Sequence, residues 1–328
     1  MKIILILCKS SYRKNNLNNF SKILFLNRYL IFTLSGLFYY AGLLLKSLKI
    51  FKIISIDGDP IVYKNNGFNF WLSGTTEKIP EKYLKYKNNY LNVKAVFHNK
   101  DKIFQLYPLI NKKINLSNEI RIVYLSSCNL RKPNITSKFV NLYEKFLNKN
   151  PTQLDEYTFW NNNNLKNYSD KNKYYIYRDL KLNQRINLIK FIMNKYSKNI
   201  DVYGDDWGEY IQNYKKTFFK SKEIRDMYNG NICLDFGSSS GSITLYPRSI
   251  DIIESGGLLL QLKQVDSKFI FQENENYFTF SNLEELDKKI QELINNRSLL
   301  FNRIRLLQDM FKNSKPLIEK QLDKIFQS

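Results

Sequence analysis

The chain has 328 residues, which are too many for one ordinary domain and predict two domains of about 150 residues each. Apolar residues make up 43% of the chain and aromatic residues 15%, which excludes a wholly disordered protein. The formal net charge of +21 is typical of contact with an anionic partner, such as nucleic acid, a membrane surface or a phosphate-bearing substrate, but lysine, asparagine, isoleucine and tyrosine are used heavily throughout, as in an AT-rich coding sequence, so we interpret most of the charge as compositional.

The first elements predict a βαβ unit. Strands at 2–8 and 51–57 enclose a loop and an uncharged run at 29–45, whose length is near the lower limit for crossing a bilayer, about 17–25 residues. Ser35 and Gly36 are typical of a helix start, and helical periodicity continues to Lys46 and Lys49. The pattern therefore favours a buried helix at 37–48 over a membrane anchor. A third strand is predicted at 93–98.

The chain end also carries information about location. Met1 and Lys2 lead directly into a β-type run, and no small-residue cleavage site follows at the distance typical of a signal peptide. We expect cytoplasmic residence, with peripheral association at the membrane surface left open.

The second half predicts a doubly wound parallel sheet. After a linker at 111–117, a strand at 120–126 and a helix at 136–147 restart the alternation, and the polar segment 161–173 is typical of a surface loop. Strands are predicted at 174–177, 200–203, 232–236 and 258–261, with helices at 183–196, 221–228 and 246–254 between them. A helix-rich stretch at 283–311 follows, and Pro316 opens a last helix. The predicted domains are 1–117 and 118–311, with a terminal helix at 312–328.

The cysteines and the histidine restrict the chemistry. Cys8, Cys128 and Cys233 each lie in an apolar, strand-like run without a second ligand at metal-binding spacing, so we expect buried thiols in a reducing compartment. His98 is the only histidine, which excludes a zinc site built from several histidines.

Three predicted strand ends carry residues suited to an anion, because ligands of open α/β sheets bind at the carboxyl ends of the strands. One strand stops at Gly204 before two carboxylates and an indole, and another runs into the small residues 237–242. The third segment, 247–257, has Arg248 and Asp251 one turn apart and ends in two glycines. The alternative interpretation of the first segment is an ordinary turn, and that of the second is a flexible loop. In the third, Arg248 and Asp251 would form only an intrahelical i,i+3 ion pair, with the glycines capping the helix.

These segments, IDVYGDDW, KEIRDMYNGNICLDF and PRSIDIIESGGLLL, resemble the C-terminal domain of the CgeB-like, spore-maturation type glycosyltransferases. They have the order and spacing of that family's strand ending in Tyr-Gly with a nearby Trp, its Ile-Tyr-Asn helix and strand, and its Arg-x-x-Glu helix ending at a glycine, over roughly residues 173–311. The resemblance implies the GT-B fold, which has two Rossmann-like, doubly wound domains, an acceptor cleft between them and a terminal helix that crosses back to the first.

The resemblance also implies an activity, transfer of a hexosyl or related sugar from a nucleotide-sugar donor to a glycan, lipid or protein acceptor, without a metal or other cofactor. By position, Arg248 would neutralise the diphosphate and Asp251, where the family has glutamate, would hold the ribose, with Glu254 as a substitute. The predicted donor-binding residues are Gly204, Asp206, Trp207, Gly237, Ser238, Ser239, Ser240, Arg248, Asp251, Ser255, Gly256 and Gly257. Ile243 stands where retaining enzymes often have a second glutamate, so a two-glutamate mechanism is not expected.

The acceptor side offers Asp59 or His98 as a general base, each at the end of a predicted strand. The alternatives are a turn at 57–60 and a locally bonded strand-end histidine. The only Asp-x-Asp triplet, 57–59, lies in the wrong domain for a donor metal.

Two rival functions follow from other features. The net charge supports a protein that binds nucleic acid or an anionic surface, but its lysines are spread along the chain and no basic-aromatic motif stands out, so we expect no nucleic-acid partner. Asp251 in place of glutamate supports a catalytically silent GT-B scaffold.

Overall fold

A computed structural model describes the chain as two compact units, Met1–Tyr107 with Asn313–Ser328, and Pro108–Lys312. In the first 100 residues it describes the backbone of six strands. Beyond them it describes 107–110, 112–116, 119–128, 170–216, 221–237, 244–245, 247–264 and 266–327.

The first unit contains a mostly parallel sheet. Its strands are β1 (Lys2–Cys8), β2 (Phe20–Leu26), β3 (Tyr29–Ser35), β4 (Lys52–Asp57), β5 (Gly67–Trp71) and β6 (Tyr90–Asn92), in the order β2-β3-β1-β4-β5-β6. Leu5 in the central strand lies opposite Phe32 on one side and Ile53 on the other. Only β2 runs antiparallel to its neighbour in this sheet. The other five strands are parallel and have the order β3-β1-β4-β5-β6, in which β1 lies between the next two parallel strands of the chain, as in doubly wound sheets.

The predicted loop after β1 is wrong in part, because it contains the hairpin of β2 and β3. Both strands are rich in aromatic and β-branched residues, and only Asn27 and Arg28 separate them, which is the length of a tight hairpin connection. The uncharged run at 29–45 therefore begins as a β-strand. The predicted helix at 37–48 and strand at 93–98 lie outside the described residues.

The second unit alternates strands and helices. Its elements are β7 (Ile122–Leu125), α1 (Asp170–Tyr196), β8 (Ile200–Tyr203), α2 (Ser221–Tyr228), β9 (Ile232–Asp235), α3 (Pro247–Glu254), β10 (Leu258–Leu262), α4 (Ser267–Phe271), a 3-10 turn (Gln272–Asn274), α5 (Glu275–Phe278), β11 (Thr279–Phe280), α6 (Leu283–Asn295) and α7 (Arg297–Phe311). Its sheet has the order β11-β10-β9-β7-β8 with all strands parallel. The predicted α/β class with doubly wound parallel sheets is confirmed.

The predicted strand at 174–177 is wrong, because these residues belong to α1. Tyrosine and isoleucine favour strands by propensity, but no glycine or proline interrupts the chain between Asp170 and Tyr196, so one helix extends through the segment. The end of the predicted loop at 161–173 also forms the first turn of α1, and its earlier part lies outside the described residues.

The C-terminal helices begin at asparagine caps. The Asn282 side chain accepts a hydrogen bond from the backbone N–H of Glu285 (2.7 Å) at the start of α6, and Asn296 accepts one from Leu299 (2.9 Å) at the start of α7. The second cap divides the predicted helix-rich stretch at 283–311 into two helices. A last helix, α8 (Ser314–Gln327), has Pro316 in its first turn, where the missing N–H leaves no intrahelical bond unmade.

The core of the second unit lies along its central strands. All residues of β7, β9 and β10 are buried. Cys128 and Cys233 are buried as predicted, and burial raises the pKa of Cys128 to about 11, so its thiol stays protonated at neutral pH. In the part of the chain that the structure describes, no helix is both long and apolar enough to cross a membrane.

Candidate functional site

The sheet of the second unit reverses its winding between β7 and β9. The chain goes from β7 to β8 on one side and then continues through β9 on the other. In open α/β sheets the crevice beside the carboxyl ends of such a pair of strands is where ligands bind. The residues that follow β7, β8 and β9, at 126–128, 204–207 and 236–237, form this edge of the sheet.

Arg248, in the first turn of α3, spans the crevice between β7 and β9. Its Nη1 donates to the carbonyl of Leu125 at the end of β7 (2.8 Å), and its Nη2 donates to the carbonyl of Gly237 after β9 (3.4 Å). Its guanidinium carbon lies 6.0 Å from the centroid of the Tyr124 ring. The side chain is 14% exposed. These contacts hold the charge of Arg248 at the point where the winding reverses, and its predicted role as a diphosphate ligand stays a prediction.

Asp235, the last residue of β9, is the counter-charge of Arg248. The completely buried carboxylate lies 3.4 Å from Nε of Arg248 and accepts hydrogen bonds from the N–H of Gly237 (3.0 Å) and from Nε2 of Gln261 (3.1 Å). Gly237 has a φ of 79°, and a Cβ there would lie 2.9 Å from Nε2 of Gln264. Glycine is therefore required where the chain turns away from β9.

Arg185 is a second cation at this edge, and it is not one of the predicted site residues. Arg185 lies on α1 and is 5% exposed. Its Nη1 donates to Oγ of Ser126 (2.8 Å), and its Nη2 donates to the carbonyl of Gly237 (3.1 Å). The available signal is an arginine next to the buried Leu182 and Ile186 on one face of a helix, and that pattern alone indicates no ligand.

The residues after β8 contact the end of β7 and hold it in place. Trp207 is completely buried, and its indole N–H donates to the carbonyl of Ser126 (2.6 Å) while its ring meets Tyr124 edge to face (6.0 Å). Trp207 therefore positions the loop after β7 and does not offer its ring to a ligand, which corrects its predicted donor-binding role. Gly204 packs against the same carbonyl, and Asp206 is exposed with a φ of 65°.

The structure does not bring Ser255, Gly256 and Gly257 to the guanidinium of Arg248. These residues follow α3 and precede β10, and the carbonyl of Gly256 accepts from the N–H of Gly230 (2.9 Å), which precedes β9. Since α3 crosses the sheet from the carboxyl ends to the amino ends of the strands, its eight residues separate the two sites by about 12 Å. The close packing predicted for the glycines occurs at the opposite edge of the sheet.

The two carboxylates of α3 differ in their surroundings. Glu254, in the last turn, accepts a hydrogen bond at Oε1 from the backbone N–H of Leu109 (2.9 Å) and so holds the segment that leads into β7. Asp251 lies one turn after Arg248 and is exposed. Of these two predicted ribose ligands, Asp251 is the nearer along the helix to the strand ends.

Several predicted residues lie outside the described part of the chain: Ser238, Ser239, Ser240, Asp59 and His98. Within the described ranges, no three His, Cys, Asp or Glu side chains come together in a group that could hold a metal ion.

The charges at this edge suit an anion. Two guanidiniums, Arg185 and Arg248, donate to one carbonyl, and the carboxylate of Asp235 pairs with only one of them. A guanidinium presents several N–H donors in a planar fork that matches the oxygens of phosphate. The arrangement can therefore bind a phosphate group and stabilise negative charge that develops on it.

No protein-family model and no curated protein sequence matches the chain. Among solved structures it is similar to the trehalose-6-phosphate synthase OtsA, with 10% identity, a TM-score of 0.45 and coverage of 98% of this chain and 91% of that one.

Two further solved structures are similar in the same way. The first is described as trehalose-6-phosphate from E. coli bound with UDP-2-fluoro glucose, with 10% identity, a TM-score of 0.46 and coverage of 99% and 93%. The second is the pneumococcal O-GlcNAc transferase GtfA in complex with UDP and GlcNAc, with 11% identity, a TM-score of 0.34 and coverage of 88% and 54%. At these identities and TM-scores the likenesses assign no activity to the chain.

Proposed function

We propose that the chain is a nucleotide-sugar-dependent glycosyltransferase of the GT-B kind, with its donor site at the carboxyl edge of the second sheet. The observation that carries the proposal is Arg248, whose guanidinium joins the ends of β7 and β9 where the winding of the sheet reverses. A cation fixed at this point is suited to the diphosphate of a nucleotide, because that crevice is where doubly wound sheets bind nucleotides.

The chemistry assigned to the site is stabilisation of the leaving nucleoside diphosphate. As the bond between the sugar and the diphosphate breaks, negative charge grows on the phosphate oxygens, and a cation already held in place stabilises it without reorganising. Asp235 holds Arg248 in that position. The backbone N–H groups of 238–242 are proposed to assist, and Asp251 is proposed to hold the ribose.

The remaining assignments rest on the sequence. The CgeB-like character is proposed from the three motifs at 200–207, 222–236 and 247–260. The acceptor is proposed to be a glycan, a lipid or a protein, with Asp59 or His98 as the general base. Transfer is proposed to proceed without a metal, because guanidiniums supply the positive charge.

Donor binding by the purified full-length chain tests the proposal. A donor at 100 times its dissociation constant raises the free energy of unfolding by about 2.7 kcal/mol, which thermal-shift measurements with UDP-, GDP- and CDP-sugars detect. We expect one of these donors to stabilise the protein and R248Q to reduce that shift strongly, with affinity falling by about tenfold or more because a charge-assisted contact to phosphate is lost. EDTA is expected to leave the shift unchanged.

R121Q is the matched control. Arg121, directly before β7, pairs with Asp201 (2.9 Å) and Glu119 (3.1 Å) at the opposite edge of the sheet. Its loss is expected to lower stability without changing the donor-dependent shift. No shift with any nucleotide sugar, or equal shifts in R248Q and the wild type, would reject the proposed donor site.

A further inference from the structure

Arg185 is a buried cation whose contacts in the described part of the chain are all neutral. It is 5% exposed and donates to the hydroxyl of Ser126 and the carbonyl of Gly237, and it forms no ion pair with a described residue. Its Nε has no hydrogen-bond partner among those residues. By contrast, Arg121 and Arg248 both have carboxylate partners. A buried guanidinium without a counter-charge is strongly unfavourable, so this arrangement indicates an anionic ligand.

The location of Arg185 indicates which anion it binds. Its Nη2 and that of Arg248 donate to the same carbonyl, Gly237 (3.1 Å and 3.4 Å), so the two guanidiniums are neighbours at the crevice between β7 and β9. One turn earlier on α1, Lys181 is also buried. Because α1 leads into β8 and runs antiparallel to it, this earlier turn lies further toward the carboxyl ends of the strands.

We propose that Arg185 is a second phosphate ligand, and that Arg185 and Arg248 each take one phosphate of a nucleoside diphosphate. The inference rests on the proposed function and specifies its ligand as a diphosphate in preference to a monophosphate. Two adjacent guanidinium forks match two linked phosphates, since each fork donates two N–H bonds to one phosphate group. A monophosphate engages only one of them.

Isothermal titration of the wild-type chain and of R185Q with UDP, UMP and pyrophosphate tests this assignment. We expect R185Q to bind UDP and pyrophosphate about tenfold or more weakly, because a charge-assisted contact is lost. The affinity for UMP is expected to fall much less. R121Q is the control, since it removes an arginine with carboxylate partners at the opposite edge and should leave all three affinities unchanged.

The outcomes separate this inference from the proposed function. If the wild type binds UDP and R185Q binds it equally well, Arg185 only joins the two strand ends, and the inference is overturned while the proposed function stands. An equal loss for UMP and UDP would contradict the assignment to separate phosphates. If the wild type binds pyrophosphate but neither UDP nor UMP, a uridine donor is excluded and the pyrophosphate affinities decide the role of Arg185. Binding of none of the three overturns the role of Arg185, while the shifts with the other nucleotide sugars still decide the proposed function.

R185K covers the case in which R185Q does not fold, as judged by circular dichroism. Lysine keeps the positive charge but cannot form the fork, so we expect intermediate affinity for UDP and pyrophosphate. Wild-type affinity in R185K together with an unchanged ratio of UDP to UMP affinity would overturn the role of the guanidinium.

Discussion

The carbonyl oxygen of Ser126 lies in contact with two residues that follow β8. It accepts the indole N–H of Trp207 (2.6 Å), and a Cβ built on Gly204 would lie 2.1 Å from it. Since the hydroxyl of the same serine accepts a hydrogen bond from Arg185 (2.8 Å), the position of this one residue determines where a cation of the proposed site lies.

Replacing Gly204 by alanine is expected to disturb this arrangement. The residue has a φ of 144°, which side-chain-bearing residues rarely adopt, and its new Cβ would collide with backbone. We expect the free energy of unfolding to fall by about 2 kcal/mol or more, measured by urea denaturation.

Gly208→Ala is the matched control for that variant. A Cβ on Gly208 would lie 3.4 Å from the hydroxyl oxygen of the Tyr214 side chain, and Gly208 itself is exposed, so the expected change is within about 0.5 kcal/mol. Similar losses in the two variants would contradict the close packing of Gly204 on Ser126.

At the scale of elements, α3 is tied to the end of β10 through Thr244 and Asp266. Oδ1 of the buried Asp266 accepts hydrogen bonds from the N–H (2.8 Å) and the hydroxyl (2.6 Å) of Thr244. The carbonyl of Thr244 accepts in turn from Oγ of Ser249 in α3 (2.7 Å) and from Nε2 of Gln261 in β10 (3.0 Å). This network fixes the start of the helix that carries Arg248.

The ionisation of Asp266 is expected to make the stability of the fold depend on pH. Burial raises the pKa of its carboxyl, although the bonds from Thr244 lower it. A raised pKa in the folded state means that the folded chain binds the proton more tightly. The stability that the folded chain gains from this tighter proton binding is fully present below the unfolded pKa, about 3.9, and is lost as pH rises through the folded pKa.

Two variants separate the hydrogen bonds of Asp266 from its charge. Asp266→Asn keeps an acceptor oxygen and removes the buried charge, so we expect stability at pH 7 to be equal or higher and its pH dependence to be flatter. Asp266→Ala leaves the donors of Thr244 unsatisfied and should cost about 1–3 kcal/mol. Urea denaturation at several pH values measures both, and an Asn variant as unstable as the Ala variant would show that the charge itself stabilises the network.

Local sequence patterns predict the elements of the second unit well where turn residues mark both ends of each element. The segment from Ile200 to Leu262 alternates short apolar runs with turn residues, and its strands and helices are confirmed within a residue or two. The errors lie where local signals conflict, as at 174–177, where strand-favouring side chains lie inside a long helix. The hairpin of β2 and β3 is hard to predict because β3 forms the first part of the uncharged run at 29–45, whose length is typical of a helix.

The candidate site is predictable only in part. Arg248 follows a recognisable strand and opens a helix, so sequence identifies it. Arg185 lies in the middle of a helix, and only the packing of α1 against β8 brings it to the carbonyl of Gly237. Trp207 stands beside a strand end, but nothing in its neighbours distinguishes an indole that binds a ligand from one that supports a loop from beneath.

At the scale of the whole molecule, the net charge of +21 and the buried guanidiniums of the candidate site are expected to bind anions in different ways. Some described lysines on the surface, such as Lys112 and Lys195, pair with carboxylates in exposed ion pairs that contribute little to stability. Positive charge spread over the surface attracts any polyanion through counterion release, with an affinity that falls steeply as salt increases. Such binding differs from recognition at the buried guanidiniums of the strand ends.

Binding to duplex DNA is therefore expected to be weak, insensitive to sequence and abolished at high salt, and R248Q should not change it. Fluorescence anisotropy at increasing salt, with the wild type and R248Q compared, measures this. Salt-resistant or sequence-specific binding would favour the rival in which the protein recognises nucleic acid. Donor binding without any sugar transfer would favour the silent scaffold.

The carbonyl of Gly237 has a property that follows from its two guanidinium donors. A peptide oxygen that accepts from two cations is more strongly polarised than one in an ordinary strand ladder. Its stretching vibration is consequently displaced to lower frequency, and an anion that draws either fork away releases it. An isotope-labelled glycine at this single bond thus acts as a vibrational reporter of occupancy, inside the protein and without an attached dye.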